Sequence, residues 1–175
     1  NSLMGLVVED ASVSIPGTKF KASGPLLITD WGMSGPAILK LSSYAARFLN
    51  ECSYKTLLSV NWIGSDTGHI NDILEGIRNG NSQKQIVTTR PDGIPSRLWT
   101  YLIGKSGIRE DLRWGEAGSK SINRIVETLS NDNYGITGKG KFKEEFVTAG
   151  GVDLEGIDQN KLESKSVKGL YFAGE

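Results

Sequence analysis

Two glycine-containing segments near the end of the sequence carry residue types that suit contact with a flat organic ligand. In the segment 148–152, Gly150 and Gly151 stand in succession. Because glycine has no side chain, the backbone can approach a ligand closely and its amides can hydrogen-bond to the ligand. The segment 169–175 reads as an apolar strand that ends in a small residue, a glycine and Glu175. A carboxylate at the end of such a strand can accept hydrogen bonds from sugar hydroxyls. Together the two segments predict the edge of a cofactor site.

A second group of candidates lies around a predicted helix start. Ser34-Gly35-Pro36 precedes an apolar pattern of helical period. A serine in this place can accept a hydrogen bond from a first-turn amide, and proline suits an early helical position. Trp31 differs from the other three tryptophans because it stands in the loop before this helix, whereas core packing is expected for Trp62, Trp99 and Trp114.

Several kinds of site lack the residues that they need. His69 is the single histidine and Cys52 the single cysteine, so we predict no metal centre and no Cys–His nucleophile pair. Packing is the expected role of Cys52, and a surface or capping position is expected for His69. The segment 138–141, Gly-Lys-Gly-Lys, lacks the spacing of a phosphate-binding loop and reads as a hairpin turn. No catalytic residue can be assigned.

The charge balance bears on possible partners. The chain has 175 residues, with 20 Lys and Arg against 20 Asp and Glu, so its net charge is zero. Binding to nucleic acid or to an anionic membrane needs a clustered basic surface, so neither partner is expected. No apolar run approaches the ~20 residues that span a bilayer. A lone cysteine fits a reducing cytoplasm.

The order of elements predicts an α+β fold. Strand patterns occupy residues 5–15, 20–22, 26–29, 55–63, 134–137, 142–148 and 169–173. Helical patterns follow Pro36, Asp66, Pro95 and Gly118. One continuous helical block between two strand blocks favours a small, mainly antiparallel β-barrel or sandwich-like domain with an inserted helical subdomain. The predicted divisions are 1–64 with 134–148 for the β domain, 65–133 for the helical subdomain, and 149–175 for a return segment of another domain. Strand patterns at both ends suggest a piece of a longer protein.

Three stretches resemble the signature segments of a known family. They are residues 145–152 (EFVTAGGV), residues 169–175 (GLYFAGE) and residues 24–39 (GPLLITDWGMSGPAIL). Their order and sequence are similar to those of bacterial FAD-binding flavoproteins, named as aminoacetone oxidase-type or NAD(P)/FAD-dependent oxidoreductases. The resemblance covers almost the whole chain. It implies a β-barrel-like domain with a helical subdomain, both inserted into a Rossmann-type FAD domain of which the last residues supply one strand.

The resemblance also implies roles for residues. Those expected to contact FAD are Thr148, Ala149, Gly150, Gly151, Val152, Ala173, Gly174 and Glu175. Those expected on the substrate side are Asp30, Trp31, Ser34, Gly35 and Pro36. Asp30 stands where members of the family commonly have histidine. If that histidine takes part in the chemistry, the substrate or activity differs here; if it is structural, Asp30 is a cap or turn residue.

The implied function is that of a substrate-side domain of an FAD-dependent oxidoreductase that acts on a small-molecule substrate, with NAD(P)H as a possible electron donor. The chain has no Gly-x-Gly-x-x-Gly fingerprint for the pyrophosphate. We therefore expect it to need the rest of its own polypeptide as a partner, and to be inactive and without bound FAD by itself. Two alternatives stay open: a non-enzymatic binding module, and a flavoprotein in which FAD is only structural.

Overall fold

The computed structural model describes residues 2–138, 140 and 150–174. It divides into two units, residues 1–141 and residues 142–175. The domain divisions predicted above stay predictions. The predicted strand at 142–148 lies outside the described residues.

The first unit contains a five-stranded antiparallel sheet with the strand order β3-β2-β1-β4-β5. The strands are β1 (Val7–Ser14), β2 (Lys21–Ile28), β3 (Met33–Ser34), β4 (Thr56–Asn61) and β5 (Asp132–Ile136). Between β4 and β5 the chain passes through helices only, apart from two short 3₁₀ turns. The predicted α+β class with a mainly antiparallel sheet is therefore confirmed.

Strand β2 is continuous where the sequence predicted two shorter strands separated by Gly24-Pro25. In β1, Val8 pairs with Leu26 and Ala11 pairs with Gly24, so two residues of β1 face the single Pro25. This β-bulge needs no hydrogen-bond donor from Pro25, which has no N–H to give. The proline is thus accommodated inside a strand instead of ending it.

The described residues of the first unit also form five α-helices. They are α1 (Pro36–Tyr44), α2 (Ala46–Glu51), α3 (Thr67–Gly80), α4 (Ser96–Lys105) and α5 (Ser119–Ser130), with 3₁₀ turns at Ile86–Thr88 and Trp114–Glu116. The sequence predicted a single helix over α1 and α2, but the chain breaks at Ala45, which has φ −95° and ψ 10°. No helix in the described part of the chain has the length and apolar character needed to cross a membrane.

Helix α3 begins where its sequence predicted a cap. The Asp66 carboxylate accepts a hydrogen bond from the backbone N–H of His69 at 3.0 Å. This bond favours the charged form and lowers the pKa of Asp66. His69 is exposed in the first turn, as expected of a surface residue.

One hydrophobic core serves both the sheet and the helices. Buried side chains from β1, β2 and β4 belong to the same cluster as those from α3, α4 and α5. Trp62, Trp99 and Trp114 are fully buried in it, as predicted, and the rings of Trp99 and Trp114 stack with centroids 6.4 Å apart. The strand blocks and the helical block therefore fold as one packed body.

A buried carboxylate links the sheet of this body to one of its helices. Asp132 at the start of β5 accepts hydrogen bonds from Trp62 Nε1 at 2.9 Å and from the Tyr134 hydroxyl at 2.6 Å. Lys105, in the last turn of α4, forms an ion pair with the other carboxylate oxygen. The Lys105 ammonium also lies 4.0 Å from the centroid of the Tyr134 ring. We call these four side chains the Asp132 cluster. They connect α4 to strand β5 and to the end of β4.

Glycine is required at residue 35, between β3 and α1. Gly35 has φ +94°, and a Cβ there would lie 2.8 Å from the Pro25 carbonyl oxygen and 3.1 Å from the Leu27 nitrogen. A side chain would be strained by the backbone conformation and would also collide with the backbone of β2. This close approach fixes the start of α1 against the sheet.

The second unit is small, and its described residues, 150–174, form little core. Strands β6 (Ile157–Asp158) and β7 (Glu163–Ser164) form a hairpin after a 3₁₀ turn at Leu154–Gly156. Ile157 is the buried apolar residue among its described side chains. The exposed apolar ones are Val152, Leu154, Leu162, Val167, Leu170 and Tyr171.

Replacement of Gly35 by alanine tests the close approach to β2. We expect Gly35→Ala to lower the free energy of unfolding by about 3 kcal/mol, from the positive φ and the overlap with backbone. Gly76→Ala is the matched control, because a Cβ at this exposed position of α3 meets nothing within 4 Å. It should stabilise the protein by about 0.5–1 kcal/mol. If both substitutions change the free energy of unfolding in urea by the same amount, glycine is not required at residue 35.

The Asp132 cluster predicts how the protein responds to alkali. Burial, and then the hydrogen bond to Asp132, raise the pKa of Tyr134 far above its ordinary value. Because the folded state keeps the proton while the unfolded state loses it near pH 10, stability should fall as the pH rises above about 10. In a tyrosinate absorbance titration, Tyr134→Phe and the wild type should have the same amplitude until they unfold. A smaller amplitude for the variant near pH 10 would show that Tyr134 ionises normally.

Candidate functional site

The predicted substrate-side residues come together at one end of the sheet. Strands β2 and β3 form a hairpin in which the Thr29 N–H donates to the Gly32 carbonyl at 2.9 Å. Asp30 and Trp31 occupy the tip of this hairpin, and the chain enters α1 directly after it. We call residues 29–34 the Trp31 hairpin. Asp30 is exposed in the turn, which agrees with a turn residue. Whether it also affects the substrate or the activity stays a prediction.

The predicted capping role of Ser34 is wrong. Ser34 pairs with Leu27 as part of β3, and Gly35 is the residue before the helix, with no side-chain hydrogen bond to a first-turn amide. Pairing with β2 holds Ser34 in an extended conformation one residue too early for a cap. Pro36 is the first residue of α1, as its fixed φ predicts.

Trp31 is the exposed tryptophan of the four. Its side chain is 51% exposed, whereas the other three are at 1% or less. The six-membered edge of its ring lies beside Gly140, where an added Cβ would be 3.4 Å from Cη2 and Cζ3. A glycine at residue 140 therefore lets the backbone pass close to the indole.

The cofactor-facing candidates are in the second unit. Gly150 and Gly151 have φ of +143° and +151°, and a Cβ added to either would meet nothing within 4 Å. Their positive φ values favour glycine, whereas no packing contact among the described residues requires one. Val152, Ala173 and Gly174 are exposed too, whereas Thr148, Ala149 and Glu175 lie outside the described residues. The described positions leave open backbone, and their contact with FAD stays a prediction.

The predicted buried strand at 169–173 differs from what the structure has. Tyr171 makes an isolated bridge to Glu163, the Phe172 N–H donates to the Leu162 carbonyl, and Leu170 and Tyr171 are exposed. A strand buried on both faces needs a layer on each side, and residues 150–174 supply none.

Two features of the first unit were not predicted. One is the Asp132 cluster, whose members Trp62 and Asp132 are 70 residues apart in sequence. The other is a shallow groove of about 220 Å³ on the outer face of the sheet, lined by Ser12, Val13, Ser14, Lys21, Ala22, Ser23, Ser59, Asn61 and Ser130. Within it the Ser12 and Ser23 hydroxyls are 2.6 Å apart. The serines at alternate positions of β1 were the available sequence signal for a polar sheet face.

A metal ion could be held by His, Cys, Asp or Glu side chains that lie close together. Within residues 2–138, 140 and 150–174, no group of three such side chains is placed to hold a metal ion. Cys52 is free and half-buried after α2, with Sγ 3.5 Å from the Leu49 carbonyl oxygen.

Two curated relatives are similar to this chain. The ribosomal RNA dihydrouridine synthase of Escherichia coli (strain K12) is 27% identical over 173 residues, which are 99% of this chain and 40% of the relative. The ribosomal RNA dihydrouridine synthase of Haemophilus influenzae (strain ATCC 51907 / DSM 11121 / KW20 / Rd) is 25% identical over 150 residues, or 86% of this chain and 35% of the relative. The chain thus spans two fifths or less of the length of these relatives.

A family match covers most of the chain. Residues 1–147 match the family described as HI0933-like protein barrel and H2TH domain. The antiparallel sheet and the helices between β4 and β5 agree with a barrel and a helical domain in that order. The description contains no oxidase name, so the aminoacetone oxidase-type naming stays a prediction. With 147 matched residues out of 175, this chain belongs to the HI0933-like protein family.

Proposed function

We propose that this chain is the substrate-side part of an FAD-dependent oxidoreductase that reduces uridine in ribosomal RNA. The single observation that supports this most is the similarity over 99% of the chain to a ribosomal RNA dihydrouridine synthase. The charge balance argued against a nucleic-acid partner, and the family resemblance implied a small-molecule substrate. This proposal departs from both expectations.

The proposed reaction fits a flavin enzyme. Dihydrouridine is uridine with a hydride and a proton added across the C5–C6 double bond of the base. Reduced FAD is a hydride donor suited to this step; it is oxidised by it, and NAD(P)H can reduce it again. The task of the protein is then to hold the base against the flavin in a site that excludes water.

The second unit supplies the residues for the cofactor side. Gly150 and Gly151 have open backbone in conformations that favour glycine, which suits a flat ring held close to the main chain. The exposed apolar side chains of this unit would be buried by a further domain. We propose that this domain binds the other half of FAD and belongs to a longer polypeptide of which this chain is a part.

A second candidate function is oxidation or reduction of a small molecule. The observation in its favour is the equal number of basic and acidic residues, because phosphate binding relies on an excess of Lys and Arg. Under the first proposal this part of the protein contacts bases more than phosphates, and the affinity for RNA should depend little on its own charges.

Activity of the intact protein tests the proposal. With FAD, NADPH and unmodified ribosomal RNA transcribed in vitro, we expect NADPH oxidation that depends on RNA, and RNA fragments heavier by two hydrogen atoms in mass spectrometry. The 175-residue chain by itself should bind FAD more weakly than about 1 μM, which corresponds to about 8 kcal/mol.

The controls separate the alternatives. NADPH oxidation with small molecules and no change in RNA mass would contradict the RNA proposal and favour the second candidate. If the intact protein binds no flavin, both candidate redox functions are contradicted, and the alternative of a non-enzymatic binding module is favoured. A stoichiometric yellow complex of FAD with the chain alone would show that the cofactor site is complete within it.

A further inference from the structure

We propose that the groove on the outer face of the sheet binds a segment of single-stranded RNA through ribose hydroxyls and one phosphate. This inference rests on the proposed function and deepens it, because it names the surface that holds the RNA substrate. We call it the serine groove, after the serines that line it: Ser12, Ser14, Ser23, Ser59 and Ser130.

The pleat of the sheet places polar side chains from three strands on one face. Ser12 and Ser14 stand at alternate positions of β1, and Val13 between them is buried in the core. The residues paired in register across β2, β1 and β4 are Ser23–Ser12–Asn61 and Lys21–Ser14–Ser59. Directly paired residues share a face of the sheet, so these six side chains form one polar surface.

Two of the hydroxyls form a pair that can bind a ligand. The Oγ atoms of Ser12 and Ser23 are 2.6 Å apart, so one hydroxyl donates to the other. The accepting hydroxyl keeps its own proton, and both oxygens keep a lone pair. Ser23 is exposed and Ser12 is half-buried. The pair can therefore donate a hydrogen bond to a ligand in the groove and accept one from it.

A further hydroxyl of the groove has no partner. The Oγ atom of Ser130, the last residue of α5, is shielded from solvent and makes no hydrogen bond in the described part of the chain. A buried hydroxyl without a partner is unfavourable in the free protein. Because a serine side chain can change rotamer, a ligand in the groove can supply the missing hydrogen bond.

The charge of the groove suits an RNA segment with one phosphate contact. Among the described residues that line it, Lys21 is the one with a charge, so no carboxylate there repels a phosphate. Lys21 is exposed, and none of the ion pairs between described residues involves it. The remaining polar groups are neutral, and they match the neutral hydroxyls of ribose. Such a surface needs no excess of basic residues in the whole chain.

The shape and composition of the groove favour RNA over other ligands. Its volume is about 220 Å³, whereas sites that enclose small molecules have about 300–1,000 Å³. Protein interfaces are enriched in aromatic residues, Met and Arg, and depleted in Ser, Ala and Lys, which are the types found here. Lys, Ser and Asn side chains are common contacts of the sugar and phosphate groups of nucleic acids. A polynucleotide that passes over the sheet therefore fits best.

Binding of a labelled single-stranded oligouridine to the 175-residue chain, measured by fluorescence anisotropy, tests the phosphate contact. We expect Lys21→Gln to weaken binding about 2- to 5-fold, as for an exposed charge pair. The slope of log K against log salt concentration should become shallower by about 0.7, the value for one phosphate. Lys19→Gln is the matched control, because Lys19 is exposed in the turn before β2 and does not line the groove. It should leave the slope unchanged.

Hydroxyl variants test the ribose contacts. Ser23→Ala removes an exposed hydroxyl, and Ser12→Ala/Ser23→Ala removes the pair; each should weaken binding of oligouridine about 2- to 10-fold. The matching oligodeoxyuridine lacks the 2′-hydroxyls, so the wild type should bind it more weakly than the RNA. The double variant should lose this preference. Ser43→Ala removes an exposed hydroxyl of α1 and should change nothing.

Replacement of Ser130 separates a ligand contact from a structural one. Because its hydroxyl has no partner in the free chain, Ser130→Ala should leave the midpoint of urea unfolding unchanged or raise it, and should weaken binding of oligouridine. A lower midpoint together with unchanged binding would contradict the proposed contact.

The results that contradict the inference differ from those that contradict the proposed function. If the intact protein reduces ribosomal RNA and neither Lys21→Gln nor Ser12→Ala/Ser23→Ala raises KM for RNA, the inference is wrong and the function stands. If Lys19→Gln and Lys21→Gln weaken binding equally, only general electrostatic attraction is present and the inference is also wrong. If the variants show that oligouridine binds in the groove, but the intact protein reduces no RNA, the groove is supported and the proposed reaction is wrong.

Discussion

A buried carboxylate is the interaction on which the arrangement of the first unit depends. Asp132 is 3% exposed and receives three donors, one each from Trp62 directly after β4, from β5 and from α4. Removing a carboxylate from water costs several kcal/mol unless such donors replace the lost hydration. The carboxylate is therefore stable only when the sheet and α4 are both in place. This requirement makes the packing of the helices on the sheet specific as well as favourable.

The consequence for function is that the Trp31 hairpin belongs to a rigid body. The hairpin extends from β2, which pairs with β1, and β1 pairs with β4, where Trp62 follows the last residue of the strand. Helix α1 is fixed to the same strand through Gly35. Loops that bind ligands gain precision when a rigid scaffold carries them. The first unit thus carries the Trp31 hairpin on a packed scaffold, whereas residues 150–174 of the second unit offer open backbone and little core.

Local patterns in the sequence predict most of the elements, whereas contacts between distant residues decide the rest. Helical period and caps locate α3, α4 and α5, and alternation locates β1 and β4. The bulge that admits Pro25 depends on pairing with β1, and the break at Ala45 depends on packing, so neither could be derived from local sequence. Trp31 was singled out because its loop position differs from that of the other tryptophans. The Asp132 cluster gave no signal, since its residues come from segments far apart along the chain. The charge balance argued against a nucleic-acid partner, and that expectation stays a prediction.

The central structural claim is that the sheet and helices are one cooperative body held by Asp132. The most direct test is native-state hydrogen exchange on the wild type and on Asp132→Asn, which keeps the shape but removes the charge. Lys105 is about one-third exposed and can turn to water, so we expect a loss of about 2–3 kcal/mol. The claim predicts that protection falls by the same free energy in α4, β4 and β5. If protection against exchange falls only in β5, and α4 stays as protected as in the wild type, the sheet and α4 are not one cooperative body.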